Sequence, residues 1–497
     1  MKERDTRNKY DPTGFNFQAN IHGWPDYDGS DKANKIADSL NWHKCQHESY
    51  FFLIWHRMYI FFFERILRKT INSSDFALPY WDVYEKDSRS MPIQFRQPAD
   101  SGNPLYVSER CANINEGNSI SERLIDPYPA LSTNFFTTHK QNNELNICHS
   151  FGGGRIDKPQ FASDREGLLE RIPHDNVHLF VGGPHGFMSD LCKSSRDPIF
   201  YLHHSNTDRI WESWMKAGGK NIIEPKYLNQ TFDFYDETGK LKSYRVADFN
   251  VDSKSLGYTY DYLINADKVK PTRIDSPQLY VPIDEREGLN INYYKRYISL
   301  RVKPYWNDFF IKYLTGEMNG LDIKFTLQFD LDYLSPNIIF QIFLNLDENT
   351  YPVDTHPNFV GTMVTFAPKC VPRIKRETLD INKCYDISEQ MYRILTNEYN
   401  FKGYIPDVFN LTFVPKYCDK TFYPKNTENL VSFFQILLVV HKEDDYYNHK
   451  NNTSNLLTDP LKDKEVIWSR TISAIPHYIP TPVIKKQNAF KTHKLKL

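Results

Sequence analysis

Six histidines among the first 204 residues of this 497-residue chain fall into two triplets: His22, His47 and His56, then His174, His178 and His204. Three neutral imidazoles make a nitrogen donor set for one late first-row metal ion, and two such sets in one domain hold two ions side by side. His174 and His178 stand four residues apart, which on a helix puts their Cβ atoms about 5–6 Å apart on one face. Alone, that pair is as well read as two core histidines, and as a metal site it leaves Zn, Cu, Fe and Ni open. No His-Glu-x-x-His run is present, so a zinc hydrolase of that type lacks its glutamate base.

Local pattern indicates which elements must present these side chains. Residues 40–70 read as mostly helical, because the run from Trp55 to Lys69 lacks Gly and Pro, has an apolar face and ends in basic residues that complement a helix C-terminus. A second helical unit, 164–181, carries His174 and His178. Pro173 places its start close to the first of them, since Pro is tolerated in a first turn and not deeper. A third, near 200–217, follows the pair His203-His204, and the polar stretch 97–165 reads as long loops. From about residue 290 the pattern changes to strands at 297–302, 322–329, 337–344, 359–366, 408–414 and 430–440, separated by turn residues, which fits an all-β sandwich or barrel.

The length exceeds one ordinary core, so two or three domains are expected. A formal net charge of −1 argues against a nucleic-acid partner, which needs a basic footprint. Aromatic residues make up 15% of the chain, enough for a rich core and suited to a site that accepts flat aromatic rings. The longest apolar run, 430–440, falls short of the roughly 18 residues of a membrane span. The charged N-terminus is followed by no apolar signal segment, which slightly favours a cytoplasmic protein. Seven scattered cysteines form no Cys-x-x-Cys pair, and the odd number leaves at least one outside any disulfide.

Two longer runs narrow the chemistry. Trp55-His56-Arg57 with Glu64, and Asp197-Pro198 with His203-His204, Asp208-Arg209 and Trp211, resemble the copper A and copper B signatures of the type 3 copper proteins: tyrosinases, catechol oxidases, polyphenol oxidases and haemocyanins. Ile21-His22-Gly23-Trp24-Pro25 resembles the first-ligand segment of fungal, bacterial and molluscan members. The runs 76–82, 170–178, 232–237 and 256–260 are closer to plant polyphenol oxidases. The resemblance spans roughly residues 15–265.

It implies a mainly α catalytic domain over 1–265, built as a four-helix bundle around a dicopper centre. A linker at 266–290, a C-terminal all-β sandwich or barrel at 291–480 and a basic tail at 481–497 follow. Carried over, His22, His47 and His56 hold one copper (CuA) and His174, His178 and His204 the other (CuB), with His43 a competitor to His22. His203 becomes a neighbour of the site on the substrate path, and Asp208 and Arg209 brace the ligand helices. Cys45, two before His47, matches a cysteine that forms a thioether with the ligand ring; the alternative is a buried free thiol. Glu170 matches a glutamate that holds a water, against the plainer reading of a solvated helix residue. Asp175 is either a carboxylate near a general base or a charge at a helix N-terminus. Leu191 is either a small gate over CuA or a core leucine, and Tyr258-x-Tyr260 resembles a motif that packs on an N-terminal arginine, here Arg4 or Arg7. The implied activity is oxidation of o-diphenols to o-quinones by O₂, with monophenol hydroxylation open and latency expected if the β-rich domain covers the site. The alternative is haemocyanin-like O₂ binding. The oligomeric state is not indicated.

Overall fold

The run that supplies His56 forms a twenty-residue helix, is buried on every side from Phe52 to Ile60 and on one face beyond, and ends at Asn72 in the left-handed conformation that closes helices. The computed structural model describes residues 1–133, 135–137, 150–160, 165–183, 185–266, 279–282, 289–292, 297–301, 307–316, 322–333, 339–347, 350–364, 381–402, 406, 408–416 and 429–443. The basic tail, most of the expected linker, and His139, His149, His449, His477 and His493 lie outside these residues.

Helices α1 (Lys2–Arg7), α2 (Phe15–His22), α3 (Asp31–Leu40) and α4 (Phe52–Ile71) lead to single turns α5 (Ala112–Asn115) and α6 (Tyr128–Leu131). Then come α7 (Asn176–Gly182), α8 (Ile199–Lys216) and α9 (Pro225–Leu228), and a hairpin of β1 (Thr231–Tyr235) and β2 (Leu241–Arg245). The helical unit expected from residue 40 starts later, at 52. Backbone N–H groups of His43 and Lys44 donate to the carbonyls of Asn20 and Ile21, so this stretch lies against the end of α2, and His43 and Glu48 take positive φ. The unit read over 164–181 is broken at Ile172 (φ −143°, ψ 119°), and its regular α-helix is confined to α7.

Helices α4 and α8 cross at a buried ion pair. Arg57 Nε donates to Asp208 Oδ1 at 2.5 Å, and its guanidinium lies 3.8 Å from the centre of the Trp211 ring. Removing one partner of such a pair leaves an uncompensated buried charge, at a cost of about 3–5 kcal/mol.

The C-terminal strands are β3 (Leu279–Pro282), β4 (Leu289–Asn292), β5 (Tyr297–Arg301), β6 (Asp322–Tyr333), β7 (Ile339–Leu344), β8 (Phe359–Val364), β9 (Ile381–Asp386), β10 (Val408–Lys416) and β11 (Asn429–Glu443). They form antiparallel sheets β5-β10-β7-β8 and β3-β11-β6-β9, with β4 also on β11. Two expectations are corrected. The region is not all-β, because α10 (Asn307–Leu314) and α11 (Ser388–Lys402) interrupt it. Part of the 266–290 linker is sheet, because β3 and β4 pair with β11.

Phe325, Leu327 and Phe329 of β6 and Phe409, Leu411 and Phe413 of β10 are buried, each set projecting from one face of its strand. In β7 every residue is buried, which requires cover on both faces. Ile339 and its cross-strand neighbour Val364 pack on Leu179 and Leu191, while Phe343 and Phe359 pack on Leu124. The first of these sheets therefore lies face-on against the helical domain.

Candidate metal centre

Five elements deliver the six histidines. His22 is the last residue of α2, His47 follows the turns after α3, His56 lies one turn into α4, His174 and His178 flank the start of α7, and His204 sits in α8. Four have Nδ1 fixed by hydrogen bonds. His22 donates to the Leu191 carbonyl (3.2 Å), His56 to that of Phe52 (2.8 Å), His178 to that of Met188 (2.7 Å) and His174 to the Asp175 carboxylate (2.9 Å). A ring held at Nδ1 presents Nε2 as the ligand atom.

The ligand atoms of His174, His178 and His204 lie within 4.8 Å of one another. His204 Nε2 is 3.3 Å from that of His174 and 3.4 Å from that of His178. The same separation holds for the ligand atoms of His22, His47 and Cys45. His56 completes this group by its ring centroid, 4.9 Å from His47 and 5.4 Å from His22. It also stacks on His204 at 4.3 Å, so the two triplets abut. The Nε2 atoms of His22 and His56 are buried with no hydrogen-bond partner among the described residues.

Burial pushes the histidines far toward the neutral form, His56 to about 3 and His178 to about 4, with His22, His47, His174 and His204 well below the ordinary 6.5. Neutral imidazoles, with no carboxylate within either triplet, fit a pair of copper ions. His43 is not part of the group; its ring stacks on Tyr27 at 4.0 Å. Cys45 is a free cysteine, fully buried beside His22 and His47, and burial pushes its thiol up. Cys111 and Cys192 are disulfide-bonded.

Glu170 and Asp175 line the centre from the segment that carries His174. Glu170 Oε1 accepts the backbone N–H of Glu48, the residue after His47, at 2.7 Å, so one carboxylate touches segments belonging to both triplets. Its Oε2 is buried without a hydrogen-bond partner among the described residues. Burial, then the charges of Asp175 and Glu166, push Glu170 well above the ordinary carboxylate range. Burial does the same to Asp175, opposed by Lys383 and Arg171. Cations bound in the pocket favour the ionised forms again. Asp175 makes no helix-capping bond; its carboxylate goes to His174.

Leu191 is 2% exposed and covered by Ile339 and Val364, so in this conformation it is no open entrance. Its carbonyl holds His22, and Gly23 allows that approach. A β-carbon at Gly23 would lie 2.3 Å from the Leu191 oxygen, which explains a glycine directly after the histidine. His203 is also buried; its ring stacks on His174 at 5.1 Å and lies 5.0 Å from His178.

Asp208 and Arg209 brace helices. Asp208 binds Arg57, the neighbour of His56, and accepts from the hydroxyls of Tyr258 (2.7 Å) and Tyr260 (2.5 Å). Arg209 pairs with Asp82 at 2.8 Å and donates to the Tyr262 carbonyl. Arg4, one of the two expected partners of the tyrosine pair, donates to Thr13, and both tyrosine hydroxyls donate to the second oxygen of Asp208. Sequence reasoning passed over Glu166 and Lys383, which form a buried ion pair between the domains. A lysine in a β-strand carries no local signal of that role.

Residues 12–217 match the family model described as the common central domain of tyrosinase, and 221–271 match the polyphenol oxidase middle domain. Aureusidin synthase of Antirrhinum majus is 30% identical over 415 residues, covering 77% of this chain and 70% of that enzyme. A tyrosinase of Hahella sp. is 32% identical over 56% of this chain and 62% of its own length. Polyphenol oxidase C of Solanum lycopersicum is 33% identical over 52% of this chain, which spans only 43% of that protein. Among solved structures, a latent aurone synthase (polyphenol oxidase) superposes with a TM-score of 0.53 at 20% identity over 88% of both chains. A latent apple tyrosinase gives 0.51 at 20% identity over 87% of this chain and 95% of that one. At that identity the likeness concerns the fold.

Proposed function

Because the chain belongs to the tyrosinase and polyphenol oxidase family, whose members use a dicopper centre, we propose that it oxidises o-diphenols to o-quinones with O₂ and is latent while its C-terminal domain is docked. The observation that carries the reading is the abutting pair of buried imidazole triplets with Nε2 atoms turned inward. A copper pair, when bound by His22, His47 and His56 and by His174, His178 and His204, supplies O₂ binding and two-electron oxidation.

The chain's own residues do the rest. The Nδ1 hydrogen bonds fix ring orientation, and the aromatic wall of Phe52, Trp55 and Phe200 keeps bulk water away from the ligand nitrogens. Glu170 Oε2 holds a water and takes the phenolic proton as it leaves. Cys45 would form a thioether to the His47 ring, losing its S–H and a ring C–H with the two electrons and two protons passing to O₂ to give H₂O₂, and would pin a ligand that stands on irregular backbone. Ile339 and Val364, seated on Leu191 and Leu179 beside His22 and His178, exclude the substrate ring until the sheet moves away.

The same cover favours haemocyanin-like O₂ binding as a second reading, since a covered centre admits O₂ more readily than a phenol. Assays with catechol, tyramine and tyrosine, before and after proteolytic cutting within 266–290, separate the two. The oxidase reading expects two coppers per chain and quinone formation that rises on cutting. Two coppers with no turnover on any phenol favour the carrier, and zinc in place of copper overturns both. The relative named aureusidin synthase adds aurone formation to the reactions to be assayed.

A further inference from the structure

Lys383 stands on β9 of the C-terminal domain, yet its ammonium donates to Glu166 Oε2 on the helical domain, with the side chains 4% and 5% exposed. A lysine is almost never buried this deeply unless it is paired. The other oxygen of Glu166, Oε1, is buried without a hydrogen-bond partner among the described residues. The carboxylate is thus held by an ammonium that belongs to the covering domain, and it keeps a second acceptor free.

Glu166 stands on backbone with little room to shift. The Arg165 N–H donates to the Glu48 carbonyl at 2.9 Å, and the Arg165 carbonyl accepts from Gly154 at 2.8 Å. On the other side, a β-carbon at Gly167 would lie 2.3 Å from the Gly153 nitrogen, so two backbones touch there. The same bonds fix its place relative to the metal centre. Glu48 follows His47, and its N–H donates to Glu170 Oε1 at 2.7 Å. Glu166 is therefore one residue from the junction that joins the His47 segment to the segment of Glu170 and His174. Arg171 of that segment lies 5.8 Å from the Tyr385 ring. Lys383 and Tyr385, two apart on one face of β9, meet an acid with an ammonium and a cation with a ring.

On the oxidase reading, the covering domain moves away before a phenol reaches the centre, and Lys383 leaves with it. Glu166 then stands beside the opened site without its counter-ion. We propose that Glu166 determines specificity in the uncovered enzyme: it takes the ammonium of a catechol with a short aminoalkyl side chain, in the place that the Lys383 ammonium holds in the covered form. The inference rests on the oxidase reading with a releasable cover. It adds a substrate class, cationic arylalkylamines in preference to aromatic acids. An ammonium on a carboxylate makes a charge-assisted hydrogen bond, whereas a substrate carboxylate in that place meets a like charge.

The copper-loaded full chain, cut within 266–290 with both pieces kept, tests this with three catechols that differ in side-chain charge: dopamine (ammonium), methylcatechol (uncharged) and dihydrocaffeate (carboxylate). The parent's kcat/KM is expected to be about tenfold higher for dopamine than for dihydrocaffeate, and the gap to narrow as salt is added. Glu166→Gln is expected to lower the dopamine-to-methylcatechol ratio of kcat/KM about tenfold, and Glu166→Lys to reverse the order of amine and acid. If E166Q does not fold because it leaves Lys383 buried and unpaired, K383M/E166Q is compared with K383M and the same drop is expected. A parent without preference for dopamine over dihydrocaffeate, or a Glu166 variant that keeps the parent's ratios, overturns the proposal. A cut chain that oxidises none of the three overturns the oxidase reading, and a methylcatechol rate that does not rise on cutting overturns the releasable cover. Oxidation of methylcatechol that rises on cutting, with no preference for the amine, overturns the inference alone.

Discussion

The carboxylate of Asp175 accepts the Nδ1–H of His174 at 2.9 Å, whereas His22, His56 and His178 donate to backbone carbonyls. A charged acceptor makes a stronger hydrogen bond than a neutral carbonyl and raises the basicity of the ring it holds. Asp175→Ala should therefore weaken the second copper about ten- to a hundredfold, while Asp175→Asn, which keeps an oxygen in place, should lose less. Copper retained after dialysis against a graded chelator reads this out. Equal retention in parent and alanine variant would show that the bond is incidental.

Glu170→Gln keeps an acceptor for the Glu48 N–H but removes the base. Its kcat/KM on an o-diphenol should fall about 10²–10⁴-fold at unchanged copper content. Activity within a few-fold of the parent would mean that the proton leaves by another route.

Ile339→Ala removes the side chain that sits on Leu191 and weakens the docked sheet by about 2–4 kcal/mol. Uncut enzyme carrying it should oxidise catechol faster than the uncut parent. An unchanged rate counts against cover by β7 as the cause of latency.

The thioether is a question of mass. The tryptic peptide 45–57, which holds both Cys45 and His47, should be two hydrogens lighter than its sequence and should resist thiol alkylation. A peptide of full mass with an alkylatable sulfur leaves Cys45 as a plain buried thiol.

Acid should unfold the metal-free chain. His22, His47, His174, His203 and His204 are pushed by burial well below 6.5, His178 to about 4 and His56 to about 3. Each stays neutral when folded but takes a proton when unfolded below pH 6.5. The unfolded state then binds more protons, and stability falls from pH 6.5 toward 4 by up to about 1.4 kcal/mol per pH unit per histidine. Glu170, Asp175, Asp126 (to about 6), Asp5, Glu64 and Glu212, raised by burial, act in the opposite direction, but with His43, lowered to about 3, eight histidines outnumber these six carboxylates. Thermal melts between pH 7 and 5 should show a falling midpoint; a flat or rising one contradicts the balance drawn here.

The histidine triplets were legible because the runs that carry the family resemblance are local, and the strands because alternation is local: β6, β7, β8, β10 and β11 begin within two residues of where the pattern places them. Helix α11 was legible too and was passed over. Asp386 accepts from Ser388 at its start, and Met391, Ile394 and Leu395 recur at helical spacing. What the sequence hid is everything decided by which chain segments meet. The hydroxyls of Tyr258 and Tyr260 donate to Asp208 because the fold brings α8 to them. The partner of Glu166 lies 217 residues away on another domain. Leu191 reads as a gate or a core leucine until Ile339 is seen upon it.

The two-sided burial of β7 bears on how long an active form lasts. Separating the domains bares Leu124, Leu179 and Leu191 on one piece and Ile339, Phe343, Phe359 and Val364 on the other. Newly bared apolar patches of this kind drive self-association in water. If the domains part as proposed, the uncovered chain is expected to self-associate through this surface.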